Sequence, residues 1–489
     1  MNTFNNITCV ALSASLSILA GCATPDSQKQ LEELPFKDNF PTKATADRLH
    51  DEMLFHRATQ VVGWSLPAMT LWFMKKGSEE RFGAGSNVLV IWKDRLSAET
   101  IVSTPNSDVV YAMGYIDLKK DGPVVVEVPP NQQGMLDDFW HRPLTDVGFV
   151  GPDKGKGGNY LLLPPDYEGD VPEGYYTFKS QTYNVFVFWR AFLDPDTGST
   201  KKAVALMEKT RIYPLSKKDN PPPMKFPNGS KVDVNMVYPR DFAYFEGLAE
   251  FVQAEAVDKE DWSMRGLMAS LGIEKGKPFA PDAHMREILD RGAKVGMKMM
   301  ESLRFGDKLP ETKYWDDRQW HNVLNVLDVE FKTDSYLNVD ARIGMFMVGY
   351  SCSPAMVMNM IGKGSKYPFA YRDADGEYLN GTDTYKLHLP APVPAANFWS
   401  ITLYDVSNAS GLANGQPYPS IGSLDPLKYN DDGSVDLYFA PELPSDAPET
   451  NWRRTVPGKG WFVLLRLYSP TQPFFDGSWR PNDFENISK

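Results

Sequence analysis

Val88-Leu89-Val90-Ile91-Trp92 opens a series of short β-rich runs that closes with Val185-Phe186-Val187-Phe188-Trp189-Arg190-Ala191-Phe192, and this series decides the fold. Between them lie the runs 109–116, 124–128, 160–163 and 175–178, each bounded by turn residues. Short β-branched and aromatic runs punctuated in this way predict antiparallel sheets folded into a sandwich or barrel. A second β-rich set follows much later, at 398–404, 435–439 and 461–468. Between the two sets the hydrophobic period lengthens: Met285, Ile288, Leu289, Ala293, Gly296, Met299 and Leu303 recur as one face of an amphipathic helix. Helical character continues over 320–360, and 44–53 begins a further helix that Ser65-Leu66-Pro67 is expected to stop. The Pro-rich run 220–229 has the composition of a linker. The expected class is mainly β with helices (α+β): two antiparallel β-sandwich, jelly-roll-like domains with a helical segment between them.

The N-terminus predicts an address. An apolar stretch, 7–20, ends in Leu19-Ala20-Gly21-Cys22. It is too short to span a bilayer but suits the apolar region of an export signal, although no Lys or Arg precedes it. Small residues before a cysteine form a lipobox, so cleavage is expected to leave a lipidated Cys22. The expected organisation is a signal peptide at 1–21, a flexible polar tether at 22–40, an N-terminal helix plus β-sandwich domain at 41–235, a helical segment at 236–360 and a C-terminal β-sandwich domain at 361–489. Ala23 follows the cysteine where Asp would hold a lipoprotein back, so the expected localisation is the cell envelope, lipid-anchored at the outer membrane of a Gram-negative bacterium.

Composition narrows the partners. The chain has 489 residues with a net charge of −12 and no long basic run, which argues against nucleic acid, because phosphate neutralisation needs a basic face. A membrane, reached through the lipid on Cys22, and a small-molecule or glycan ligand are the partners expected. Of three cysteines, Cys9 would leave with the signal and Cys22 would carry lipid, which leaves Cys352 and no intrachain disulfide. The six histidines are scattered without metal-ligand spacing, so no metal and no cofactor is predicted. Calcium stays open at Asn430-Asp431-Asp432-Gly433-Ser434-Val435-Asp436, which is oxygen-rich but lacks EF-hand spacing; a tight turn explains it better.

Three motifs stand in the first β-rich region: Thr104-Pro105-Asn106-Ser107-Asp108-Val109-Val110-Tyr111, Gly122-Pro123-Val124-Val125-Val126-Glu127-Val128-Pro129 and Gly155-Lys156-Gly157-Gly158-Asn159-Tyr160-Leu161-Leu162-Leu163-Pro164-Pro165. Together they resemble the family called domain of unknown function 1254. In the second region Phe398-Trp399-Ser400-Ile401-Thr402-Leu403-Tyr404-Asp405, Asp432-Gly433-Ser434-Val435-Asp436-Leu437-Tyr438, Asn451-Trp452 and Arg466-Leu467-Tyr468-Ser469-Pro470 look like domain of unknown function 1214, which commonly accompanies the first. The resemblance implies two β-sandwich domains with helices between them and no established reaction. Arg453-Arg454 stand where that family usually has Leu-Pro after Asn-Trp.

Candidate chemistry gathers at three places. Asn106, Asp108 and Tyr111 enter a strand from a loop, where they either cap a turn or meet a ligand. Asp137-Asp138-Phe139-Trp140-His141-Arg142, with Asp146 nearby, is the densest polar and aromatic group in the chain. There His141 is the candidate general base, Asp138 or Asp146 its orienting carboxylate, and Arg142 a clamp for an anion; the alternative is a strand end with an inward Trp140. Asp108, His141 and Asp138 are therefore the catalytic candidates. In the second region Trp399 and Phe398 alternate, so one of them needs a layer other than the main core. Arg466 and Tyr468 share a strand face opposite Leu465 and Leu467, and Arg466 is either a solvated charge or the partner of a carboxylate such as Asp405. Asn106, Tyr111, Arg142, Trp399, Tyr404, Asp405 and Arg466 are the ligand-binding candidates. Gly349-Tyr350-Ser351-Cys352-Ser353 falls short of a nucleophile elbow at its last position and reads as a buried segment. The run 151–158, rich in Gly and Lys, lacks Walker spacing.

Two function classes follow. One is an envelope-tethered hydrolase or related enzyme acting on a small polar or glycan-like substrate; the other is a non-catalytic glycan- or protein-binding scaffold lipoprotein. Convergence of Asn106, Asp108, His141 and either Asp405 or Arg466 in one concave pocket separates them in favour of the enzyme.

Overall fold

The computed structural model describes residues 31–194, 196–258, 261–323 and 328–488. Cys22 and the motif 19–22 lie outside the described residues. Contacts divide the chain into two compact units, 1–54 and 55–489. Within the described part of the first, Phe36–Lys37 pairs antiparallel with Phe40–Pro41 through Asp38 and Asn39, both at positive φ (51° and 67°), as a two-residue hairpin turn requires. Thr42 Oγ1 then accepts the Thr45 N–H at 3.2 Å and caps the helix Lys43–Phe82.

That helix runs through Pro67, where the sequence predicts a stop. A proline inside a helix removes one donor and crowds the preceding turn, at a cost of about 3 kcal/mol. Tertiary partners offset it. Tyr244 Oη donates to the Val62 carbonyl at 3.1 Å, Arg342 Nη2 donates to the Trp64 carbonyl at 3.2 Å, and the Ser65 hydroxyl donates to the Val61 carbonyl at 2.7 Å. Val61, Val62, Leu66, Ala68, Met69 and Leu71 are all fully buried around Pro67, so packing outweighs the local preference.

The second unit is mixed α+β, with several open sheets and no closed barrel among the described residues. One five-stranded antiparallel sheet has the order Leu89–Ile91, Val109–Asp117, Asn184–Phe192, Gln133–Asp138, Pro143–Val147. A four-stranded sheet has the order Tyr176–Lys179, Gly158–Leu163, Val124–Val128, Arg211–Pro214. Leu89, Val110, Val187 and Trp189 from the first sheet and Val126, Leu162 and Ile212 from the second join a single apolar core. The C-terminal region repeats the plan. Trp461–Pro470 pairs with Ala395–Asp405 at the centre of one sheet, Val435–Ala440 pairs with Tyr385–Leu389 in another, and Leu387, Ile401, Leu437 and Leu465 share one core.

Not every pairing is antiparallel as expected. Tyr176–Lys179 runs parallel to Gly158–Leu163, and Trp452–Arg454 parallel to Val435–Ala440, each after a Pro-containing loop long enough to carry the chain back. The helical stretch is also less uniform than its composition. Ala243–Ala254, Ala283–Phe305 and Val339–Phe346 are helices, but the described residues between 320 and 338 are the short strand His321–Asn322, turns and bridges. There the Asp328 carboxylate accepts the Glu330 N–H and Thr333 Oγ1 the Tyr336 N–H, so short polar side chains take the backbone donors. The run 220–229 is no free linker: Lys225 and Asn228 bridge Val88 and Ile91. No helix among the described residues is long and apolar enough to cross a membrane.

Candidate functional site

Two strands present a second face that the cores do not use. Along Asn184–Phe192, Val185, Val187 and Trp189 enter the N-terminal core, so the two-residue period turns Phe186, Phe188 and Arg190 the other way. Along Trp461–Pro470, Trp461, Val463, Leu465 and Leu467 enter the C-terminal core, and Phe462, Leu464, Arg466 and Tyr468 face away from it. Both outer faces contribute to a cavity of about 330 Å³, within the usual range for small-molecule sites. Its further walls come from Val109–Asp117, Pro143–Val147 and the segment 345–367.

The polar chemistry of this cavity is two guanidiniums among phenols. Arg190 Nη1 donates to Tyr367 Oη at 3.1 Å. Arg466 is 3% exposed; its Nη1 donates to Thr402 Oγ1 at 2.8 Å, and its Nη2 donates to the Thr104 and Pro105 carbonyls at 3.2 and 3.4 Å. Tyr404 Oη donates to the same Pro105 carbonyl at 2.7 Å. Among the described residues no carboxylate lies within ion-pair distance of either guanidinium; the groups that favour their charge are Tyr111, Tyr367, Tyr404 and Tyr468. The field of the pair is visible on its neighbours. Burial alone would push the Tyr367 phenol up, but Arg190 and Arg466 hold it below its ordinary value. Burial pushes Tyr111 up to about 12 against the pull of the same two cations. Asp146, on the adjoining wall, is raised by burial, although the Ser353 hydroxyl, the Ala355 N–H at 3.0 Å and Arg190 all favour its charged form.

The cavity wall also holds backbone strain. Thr104, Ser351 and Ser469 line it at φ of 38°, 57° and 56°, a region that L side chains adopt at a cost of about 1–3 kcal/mol each. For β-branched Thr104 this is a true outlier. Its N–H donates to the Ala409 carbonyl and its own carbonyl serves Arg466, so the strained residue fixes the guanidinium.

The residues singled out by sequence fall into four groups, the last being the cluster 137–142. Tyr111 and Arg466 line the cavity. Asn106, Tyr404 and Asp108 stand behind its wall: Asn106 Nδ2 donates to Tyr468 Oη, and Asn106 Oδ1 accepts the Asp108 N–H at 2.8 Å, an Asx turn. Asp108 Oδ1 accepts from Arg95 Nη2 at 2.9 Å and from the Ser420 hydroxyl at 3.0 Å. Trp399 and Asp405 belong elsewhere. Trp399 is in the C-terminal core while Phe398 stacks on Tyr468 at 4.0 Å, and Asp405 pairs with Lys459 at 2.6 Å rather than with Arg466.

The cluster 137–142 is sealed. Asp138 accepts from the Trp140 and Arg142 N–H groups at 2.8 and 2.9 Å and from Arg142 Nε at 2.7 Å, while Arg142 Nη1 reaches Asp258 at 2.9 Å. Trp140 packs inward on Trp64 at 4.6 Å. His141, 1% exposed, stacks on Phe346 at 4.5 Å, and its Nδ1 accepts the Ser351 N–H at 3.0 Å. That bond assigns the proton to Nε2, and burial pulls the imidazole down to about 3, so it stays neutral. The nearest carboxylate is Asp137, 4.0 Å from Nδ1, not Asp138 or Asp146. Neither Asp137 oxygen has a partner of full hydrogen-bond geometry, although the Cys352 backbone faces it; burial raises this carboxyl well above its ordinary value. Cys352 is fully buried and its thiol is pushed far up by burial, so it is not a nucleophile at neutral pH.

Sequence reasoning missed Arg190 and Tyr367. The signal for Arg190 was present: one charge inside an apolar strand, on the parity opposite Val185, Val187 and Trp189. Among the described residues no group of three or more His, Cys, Asp or Glu is placed to hold a metal ion. In the turn 430–436 Asp432 Oδ1 is taken up by the N–H and hydroxyl of Ser434.

Comparisons with known proteins agree with this architecture. Residues 86–214 match the family model "Protein of unknown function (DUF1254)" and residues 364–472 match "Protein of unknown function (DUF1214)", in the order expected. No curated protein matches the chain. Among solved structures, the VPA0106 protein from Vibrio parahaemolyticus is similar over 90% of this chain and 100% of its own, at 18% identity and a TM-score of 0.53, a likeness of fold. A putative uncharacterized protein from Burkholderia cenocepacia is similar over 91% of this chain and 96% of its own, at 12% identity and a TM-score of 0.40.

Proposed function

We propose that the cavity is the working site and that it holds a small organic anion between Arg190 and Arg466. One observation carries this reading: the buried Arg466 and the half-buried Arg190 share a cavity without a carboxylate in ion-pair range among the described residues. Asp146 shares the cavity but lies beyond ion-pair range of Arg190, and an oxyanion that accepts from both forks adds the close charge-assisted bonds that the guanidiniums lack. Carboxylate, phosphate and sulfate share that chemistry. The function supported best is ligand binding. A hydrolytic reading passes from Asp108 and His141, which do not line the cavity, to Asp146, which does and whose carboxyl is raised.

The test is a thermal-shift panel of small carboxylates, phosphates, sulfates and neutral sugars on the chain and on Arg190→Gln. Stabilisation by anions, lost in the variant, is expected; a response to neutral sugars alone, or one that Arg190→Gln leaves intact, overturns the reading. We place the protein in the cell envelope, tethered by lipid on Cys22 through 22–40 at the outer membrane, with jelly-roll-like sandwiches at 41–235 and 361–489 flanking the helical segment 236–360. The lipobox supports this, and Cys22→Ser is expected to release the protein from the membrane fraction.

A further inference from the structure

We infer that the ligand is a single-chain amphiphile: an anionic head at Arg190 and Arg466 and an alkyl tail that leaves along a methionine-rich lip. This rests on the anion site proposed above and names its substrate class. The guanidiniums occupy only part of the cavity. Much of the remaining wall is apolar, with Phe188, Met345, Val150, Met356, Met360 and Leu464 facing the same space.

The lip continues that surface outward. Phe149, itself part of the wall, is 58% exposed, and Met358 and Ile361, 50% and 58% exposed, are near in sequence to the wall residues Met356 and Met360. Large apolar side chains left this open beside a cavity mark a binding surface rather than a core. Methionine suits a flexible tail, because its unbranched thioether refits to chains of different length. The lip is also built to hold its place. The Ala355 N–H donates to Asp146 at 3.0 Å, the Gly362 N–H to the Pro470 carbonyl at 2.7 Å and the Ser469 N–H to the Gly364 carbonyl at 2.8 Å. Gly362 and Gly364 at φ of 73° and 66° let the segment turn back towards the strand that carries Arg466. On the same wall Lys363 sits 4.5 Å over the Phe149 ring, a third cation on the path of an anionic head. A cavity of about 330 Å³ is at the small end for ligand sites, so a long tail has to extend past the wall onto these side chains.

The experiment is calorimetric titration of the purified chain with hexanoate, octanoate and decanoate, each below its micelle concentration, and with decanol and phosphatidylglycerol vesicles. Affinity is expected to rise by about fourfold per added methylene, the step for burying one CH₂. A Met358→Gln/Ile361→Gln variant, altered only at exposed positions, is expected to bind decanoate at least tenfold more weakly and hexanoate unchanged. Arg190→Gln is expected to weaken all three alike. Equal affinity along the series, or an indifferent lip variant, overturns the amphiphile while an effect of Arg190→Gln leaves the anion site standing. Binding of decanol as tight as decanoate, or binding to vesicles without binding to free decanoate, also overturns it. No binding of any carboxylate overturns the amphiphile, and the anion site falls with it when phosphate and sulfate also fail in the thermal-shift panel.

Discussion

The turn 137–142 and the wall that carries Arg190 and Arg466 are both buried, polar and ringed by aromatic side chains. They differ in how their charge is met. Around Arg142 the charge is met by carboxylates, Asp138 at Nε and Asp258 at Nη1, although its Nη2, the Nε2 of neutral His141 and both Asp137 oxygens are buried without a partner of full hydrogen-bond geometry. Around Arg466 the acceptors are a hydroxyl and two backbone carbonyls, and Arg190 reaches only a phenol. A cluster whose cation is met by carboxylates and that opens on no cavity stabilises the fold; one whose cations bond to neutral acceptors beside a cavity is prepared for a ligand. Density of reactive residue types in sequence is therefore a poor guide to the site, and a cation without an ion pair beside open space is a better one.

The comparison breaks most easily at Asp138. Asp138→Ala deletes three hydrogen bonds and leaves Arg142 with Asp258 as its remaining carboxylate, and should cost about 3 kcal/mol in urea unfolding, with anion affinity unchanged in the folded protein. Lost affinity without lost stability would put the sealed cluster back in the site.

Glu255, next to it, sharpens the contrast through pH. Its carboxylate accepts from Tyr183 N–H, Asn184 N–H and Asn184 Nδ2, yet burial raises it to about 7. A carboxyl raised on folding contributes stability that is fully present below its unfolded value near 4.5 and lost as pH rises through about 7. Unfolding free energy should thus fall by up to about 3 kcal/mol from pH 4.5 to 8, with Asp137 acting in the same direction, and Glu255→Gln should flatten that slope. An unchanged slope in the variant removes Glu255 as its source.

Asp108 is the smallest and most pointed case. Asp108→Asn weakens the charged bond from Arg95 and should cost about 1 kcal/mol while affinity holds, as for the sealed cluster. A tenfold loss of affinity would instead make it part of the ligand site.

Much of the fold was legible because it is local. Alternation along 398–404 and 461–468 separated Trp399 from Phe398 and placed Arg466 beside Tyr468. What stayed hidden depends on partners far along the chain. Helix Lys43–Phe82 survives Pro67 because Tyr244 and Arg342 supply donors. His141 is sealed by Ser351 and Phe346, about two hundred positions away in sequence. The site itself was half legible: Arg466 and Tyr111 were found from motif and strand pattern, whereas Tyr367 sits at the break between the short strands Ser365–Lys366 and Pro368–Ala370, too short for a period to show.

The strands Asn184–Phe192 and Trp461–Pro470 carry core and cavity on alternate residues. A slip of one position would drive each guanidinium into packed hydrocarbon and swing a tryptophan outward, so mispairing is punished at once. Correct assembly and a functional cavity are thus a single event: the parity of two strands acts as a proofreading step, and deletions within them are tolerable only in pairs.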